Sequence, residues 1–249
     1  MQSLPAQPNN SLMLGMECLR AITDARRPIG SREVARRMGL THTRVNRLLG
    51  TLAYMGMLER DAERRYRPGP ALHMLAAQSI MASRLLPAAM PVLKRLSRQG
   101  HTVALGTLWQ GRICYLFHER PGQSVEDAIL RHEIWPADQS SLGIALLAAG
   151  KEPLDPASVP SDPVRERKLP GQSLSELVEQ ARERGYAELR FTDDTISVGV
   201  AVGAPPVAGL GISSQHLGHE FVPRIAATLH EAAAEILDRM SSDDGEPQE

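Results

Sequence analysis

Cysteine is scarce in this chain: Cys18 and Cys114 are the only two in 249 residues, and they lie far apart in sequence. Two so separated do not make a disulfide framework, and a reducing cytoplasm is the expected setting. No apolar run approaches the roughly 20 residues that a membrane-spanning helix needs. The opening MQSLPAQPNN has no charged stretch followed by an apolar one, so no secretory signal is expected.

Catalytic signatures are missing too. Histidine precedes glutamate at His118, His132, His219 and His230, as at the start of a metalloprotease helix. Such a site needs a second histidine four residues on, and those positions hold Gly122, Pro136, Pro223 and Ala234. There is no G-x-S-x-G elbow and no phosphate loop, and GLGISS lacks the third glycine of a dinucleotide fingerprint. Cys114 falls on an expected buried strand with no base beside it, which reads as a structural thiol. Neither an enzyme, nor a metal site, nor a cofactor is expected.

What is present is an uneven distribution of charge. The chain carries a formal net charge of -1. Residues 1–70 hold twelve Lys and Arg against six Asp and Glu, a balance of +6, and residues 71–249 hold sixteen against twenty-three, a balance of −7. A basic first part in front of an acidic remainder points to contact with nucleic acid or another anionic surface.

The basic part is also patterned. Leu12, Met16, Leu19 and Ile22 repeat at helical spacing, and Pro28 and Gly30 end that run. Ser31 is expected to cap a short helix that buries Val34, Ala35 and Met38 and stops at Gly39. A third helix is expected from Thr41, with Val45, Leu48, Leu49 and Leu52 turned inward. Beyond Gly56, MLER and RYRP flank a polar turn as a hairpin, with Leu58 and Tyr66 on one side and Arg60, Arg65 and Arg67 on the other.

Two short helices joined by a glycine turn make a helix-turn-helix, whose second helix enters the major groove by its N-terminal end. Two surface helices with solvated charges would give the same spacing, but a basic hairpin directly behind them is the wing of a winged helix. The groove-facing set is Thr41, His42, Thr43, Arg44, Arg47 and Thr51, with Ser31 at the preceding helix start. Arg44 and Arg47 share one helix face, and the arginine fork can take guanine O6 and N7 or a phosphate. Arg60, Arg64, Arg65 and Arg67 of the hairpin are placed to meet the flanking backbone.

The run SREVARRMGLTHTRVNRLLGTLAYMGMLERDAERRYRPGPALHML resembles the N-terminal domain of the IclR family of bacterial transcription regulators. RHEIWPADQSSLGIALLAAG, GYAELRFTDDTISVGVAVGAPPV and LGISSQHLG resemble segments of that family's effector domain more loosely. The resemblance implies an α+β protein in five parts. They are a disordered tail at 1–10, a winged helix-turn-helix at 11–70, a linker and dimerisation helix at 71–87, a GAF-like mixed α/β effector-binding domain at 88–240, and an acidic tail at 241–249. By position it also implies an effector site made of Ser141, Leu142, Asp193, Val202, Gly211 and Ser213.

Val202 and Gly211 replace polar residues common in the family, which suggests a larger or more apolar ligand. The expected partners are double-stranded operator DNA, a small organic acid and further copies of the chain, as a dimer or tetramer, with no membrane. A second reading keeps the DNA contact but gives the C-terminal domain only an oligomerising role. The glycines of GVAVGAP and GLGIS favour the sensor, because small side chains leave space beside a sheet.

Overall fold

The computed structural model describes residues 7–128, 134–150, 159, 172–215 and 217–242. Much of each expected tail, and nearly all of the proline-rich stretch at 151–172, lies outside them. Of the tail positions described, Asn10 opens a helix and Ser241 and Ser242 close one. The chain divides into two compact units, with the division falling between Ser83 and Arg84.

The first unit runs α1 (Asn10–Asp24), α2 (Ser31–Met38), α3 (His42–Tyr54), β1 (Leu58–Arg60), β2 (Tyr66–Pro68) and α4 (Pro70–Ser83). Its core joins Cys18, Leu19, Ile22, Ile29, Val34, Ala35, Val45, Leu49, Leu58 and Tyr66. The expected α1 stripe divides: Leu19 and Ile22 are buried, whereas Leu12 and Met16 stand exposed. Helical periodicity sets which residues share a face, but not how far along the helix that face is covered.

Ser31 is not the cap of α2. Extended Gly30 takes that place, its carbonyl accepting from the Glu33 and Val34 amides, and Ser31 becomes the first helical residue. Gly39 closes α2 in the left-handed region at φ 65°. Thr41 does cap α3, its hydroxyl accepting from the Arg44 amide.

The β1–β2 register pairs Leu58 with Pro68, Glu59 with Arg67 and Arg60 with Tyr66. Directly paired residues share a face, so Arg60 stands with Tyr66 rather than with Arg67. Ile29 adds a bridge to Tyr66, each backbone amide donating to the other's carbonyl. The linker helix expected over 71–87 stops at Ser83, because Arg84 turns into the left-handed region at φ 55°. No residue of α4 is buried.

The second unit continues with α5 (Leu85–Ser97), β3 (Thr102–Trp109), β4 (Arg112–Glu119), α6 (Val125–Ala128), β5 (Ile134–Pro136), α7 (Ser141–Ala149), α8 (Leu174–Arg184), β6 (Ala187–Arg190), β7 (Ile196–Val202), β8 (Ala208–Ser214) and α9 (Val222–Ser242). Its strands form one antiparallel sheet in the order β5-β4-β3-β8-β7-β6, flanked by helices. The fold is α+β. Gln110 and Gly111, both at positive φ, make the two-residue hairpin turn between β3 and β4. Ala128 ends α6 and Ile134 opens β5, with 129–133 between them outside the described residues. Cys114 is exposed on β4 rather than buried.

Helix α7 sits directly on the sheet, and glycine makes this possible. A Cβ on Gly199 would lie 2.6 Å from the Ser141 carbonyl carbon, and one on Gly211 would lie 2.5 Å from Leu142 Cδ1. The space expected beside these glycines is therefore occupied by the protein's own helix.

Candidate functional site

The first unit is rich in ion pairs, and what they leave over defines a surface. Arg20 pairs with Glu17, and Arg27 and Arg37 share Glu33. In the wing, Arg65 grips Asp61 through Nε at 2.9 Å and its backbone amide at 2.7 Å, and reaches Glu63 at 3.0 Å. Desolvation alone would raise the Asp61 carboxyl, but the hydrogen bonds from Arg65 outweigh it and hold the carboxyl below its ordinary value. Arg67 donates from Nε and Nη2 to Glu59 Oε2 at 2.9 and 2.7 Å. The Arg60 guanidinium lies 5.6 Å from the centre of the Tyr66 ring.

Among the described residues, Arg32, Arg36, Arg44, Arg47 and Arg64 pair with no carboxylate. The first two are exposed on α2 and the next two on α3, while Arg64 is at the tip of the wing at φ 62°. The net positive charge of the segment is thus concentrated where the helix-turn-helix and the wing tip present it.

The other expected contacts have mixed placements. Thr43 is exposed at the start of α3. His42 and Ser31 are joined to each other, Nε2 to Oγ, at 2.9 Å. Thr41 is used as the cap, and Thr51 Oγ1 donates to the Arg47 carbonyl at 3.1 Å. Sequence reasoning passed over Asn46, which is exposed beside Arg47 and three residues from Thr43. That spacing was its only signal. An exposed asparagine on such a helix can take adenine N6 and N7 together.

In the second unit a cavity of about 510 Å³ opens between the ends of β3, β4, β7 and β8 and the β6–β7 turn. Hydroxyl and amide side chains supply much of its wall: Thr102, Gln139, Ser140, Thr195, Ser197, Ser213, Ser214 and Gln215. Tyr115, Trp135 and Phe191 add aromatic surface, and Arg120 and Asp193 are its formally charged members. Tyr115 and Ser140 share a buried hydrogen bond of 3.1 Å, and the His118 ring stacks on Tyr115 with centroids 5.0 Å apart.

Of the six residues assigned to an effector site, Asp193 and Ser213 line this cavity. Ser141 lies just behind the wall, its hydroxyl 2.8 Å from that of Ser197. Leu142 does not face the cavity; it packs over Gly209 and Gly211, and Gly211 is covered in turn. Val202 is on the opposite sheet face. Ser197 and Gly199 point to α7, and alternation along β7 sends fully buried Val202 the other way. The expectation of a more apolar ligand rested on Val202 and Gly211, and the wall is instead polar. Asp193 Oδ1 accepts from the Thr195 amide at 3.2 Å, so the carboxylate braces its own turn. Among the described residues there is no cluster of three or more metal-ligating side chains, and no helix is long and apolar enough to cross a membrane.

The sequence model of the IclR helix-turn-helix domain matches residues 11–62. The first unit thus carries an IclR-type helix-turn-helix domain. It is 29% identical over 167 residues to the HTH-type transcriptional regulator BhcR of Paracoccus denitrificans, a match covering 62% of this chain and 58% of that one. The chain thus spans less than two thirds of that curated relative.

Solved IclR structures share the fold. One putative regulator from Silicibacter superimposes with a TM-score of 0.76 at 22% identity, covering 93% of this chain and 96% of that one. An IclR homolog from Microbacterium hydrocarbonoxydans, complexed with 4-hydroxybenzoate, gives 0.68 at 23% identity, covering 94% and 100%. The matched helix-turn-helix domain and BhcR are both of transcription regulators.

Proposed function

We propose that this protein binds double-stranded operator DNA through α3 and the wing tip, as a dimer or tetramer, and that a small organic acid in the polar cavity controls that binding. The observation that carries the first half is the set of arginines on α2, α3 and the wing that have no carboxylate partner among the described residues. Cations not already neutralised are the ones that release counterions from DNA.

A single recognition helix reads only a few base pairs, so two copies across a pseudo-palindrome are needed for specificity. The first unit has apolar surface to spare for that pairing: Leu12, Met13 and Met16 on α1, and Met74, Leu75 and Met81 on α4, are all exposed. The acid reading is supported by the cavity and by the 4-hydroxybenzoate held by the Microbacterium homolog.

Footprinting on the DNA upstream of the protein's own gene, with and without aromatic and aliphatic acids, tests both halves. A protected, two-fold symmetric site whose occupancy changes with one acid is the expected result. Protection indifferent to sequence would remove the operator reading. If protection responds to no acid, and no acid raises the melting temperature, the second unit serves only assembly.

A further inference from the structure

Gln139 ends the short 3-10 turn Ala137–Gln139 that leads into α7, is only 5% exposed, and lines the cavity. Its Nε2 donates to Asp138 Oδ2 at 3.3 Å. That contact fixes the amide's orientation, because a carboxylate accepts and only the NH2 side can face it. The other end, Oε1, is buried and has no hydrogen-bond partner among the described residues. Leaving a buried carbonyl unpaired is costly, so groups of this kind mark places where something else supplies a donor.

The turn is also held firmly. The space where a Gly143 Cβ would sit lies 2.3 Å from the Ala137 carbonyl oxygen, so α7 packs closely against the backbone of the turn. Nearby hydroxyls are already engaged, Tyr115 with Ser140 and Ser197 with Ser141. Trp135 and Phe191 add flat apolar surface to the same wall, in a cavity far roomier than a two- or three-carbon acid requires.

Building on the effector reading proposed above, we infer that Gln139 is the specificity-determining residue of this cavity. Its Oε1 accepts a hydrogen bond from a hydroxyl on a ring-bearing acid, and acids without that hydroxyl are selected against. A site with a buried acceptor discriminates strongly, because the analogue without the donor leaves the acceptor unpaired.

The test uses the full-length protein and matched pairs of probes: 4-hydroxybenzoate against benzoate, 3-hydroxybenzoate against 3-methoxybenzoate, and 4-hydroxycyclohexanecarboxylate against cyclohexanecarboxylate. Calorimetric titration should show at least one hydroxylated member binding about ten-fold or more tightly than its mate. In Gln139→Met, which keeps the volume but removes the acceptor, the ratio should fall to roughly unity. The melting temperature of the ligand-free variant, followed alongside, checks that its fold is intact.

Equal binding within every pair to the wild-type protein overturns the inference without reference to any variant. So does a preference that survives in Gln139→Met. If no probe of either kind binds, the effector reading itself fails and takes this one with it.

Discussion

The Ser31 hydroxyl and the His42 imidazole lie 2.9 Å apart, tying the first residue of α2 to the first residue of α3. The bond spans the turn that sets the angle between the two helices, so it acts on geometry before it acts on DNA. Ser31→Ala and His42→Ala should each weaken operator binding by about 0.5–1.5 kcal/mol. The double variant should lose little more than either single one, since both remove the same bond. A double-mutant cycle read by fluorescence anisotropy checks this. Fully additive losses would mean that the two side chains meet DNA separately.

Arg44 and Arg47 lie on the exposed side of α3 and pair with no carboxylate among the described residues. Arg44→Ala and Arg47→Ala should each cost about 1–3 kcal/mol of operator affinity, with Arg44→Ala also relaxing sequence preference because it is nearer the helix start. Asn46→Ala should relax preference at a single position while leaving non-specific affinity alone. Selection from a randomised operator library reads each effect. Wild-type specificity in all three variants would remove α3 from the groove.

The sequence was most legible where one physical rule decides the outcome. Gly39 and Thr41 behave as expected, at the end of one helix and the start of the next, since helix ends depend on a few local atoms. Where tertiary packing decides, the pattern was silent or misleading. The glycines of β7 and β8 read as empty space but are filled by α7, because a glycine shows only that something comes close. Val202 was placed by position, and one step along a strand reverses a side chain's face. Strand β6 (Ala187–Arg190) alternates buried Ala187 and Leu189 with Glu188 and Arg190, but four residues are too few for that alternation to stand out. Gln139 carried no signal: its importance comes from burial and an unpaired atom, and a linear sequence shows neither.

The wing arginines are not equivalent. Arg64 at the turn tip pairs with no carboxylate among the described residues, whereas Arg67 already engages Glu59. Arg64→Ala should therefore reduce the slope of log affinity against log salt by about 1, and Arg67→Ala by less. Glu59→Gln should act in the opposite direction, releasing Arg67 and tightening binding to any sequence. Titrations across a salt series decide, and identical slopes for Arg64→Ala and Arg67→Ala would show that the Glu59 pair opens freely on DNA.

Assembly gives a separate test. Leu75 is 45% exposed on a helix with no buried residue, flanked by exposed Met74 and Met81. Leu75→Glu would place a charge in any apolar seam formed there and should lower both self-association and operator affinity while leaving the melting of the second unit unchanged. Sedimentation across a concentration series reads the first, and a wild-type monomer that still binds operator tightly would rule the seam out.

Two substitutions that look alike on the sequence should behave differently in the protein. Ser213 lines the cavity, on β8 opposite Ser197 of β7. Leu142 is buried and packs against Gly209 and Gly211. Ser213→Ala removes one hydroxyl from the wall and little else, so the unliganded protein should melt and bind operator as the wild type does. Its response to an acid that shifts the wild-type protein should be blunted. Leu142→Trp forces extra volume where the glycines leave none, and overpacking of that kind costs about 1–3 kcal/mol. It should lower the melting temperature of the second unit before any ligand is added. Scanning calorimetry on both variants, followed by operator binding with and without the acid, separates a wall residue from a packing residue. If Leu142→Trp melts like the wild type and loses only its ligand response, then Leu142 belongs to the cavity and α7 does not sit on the sheet as described.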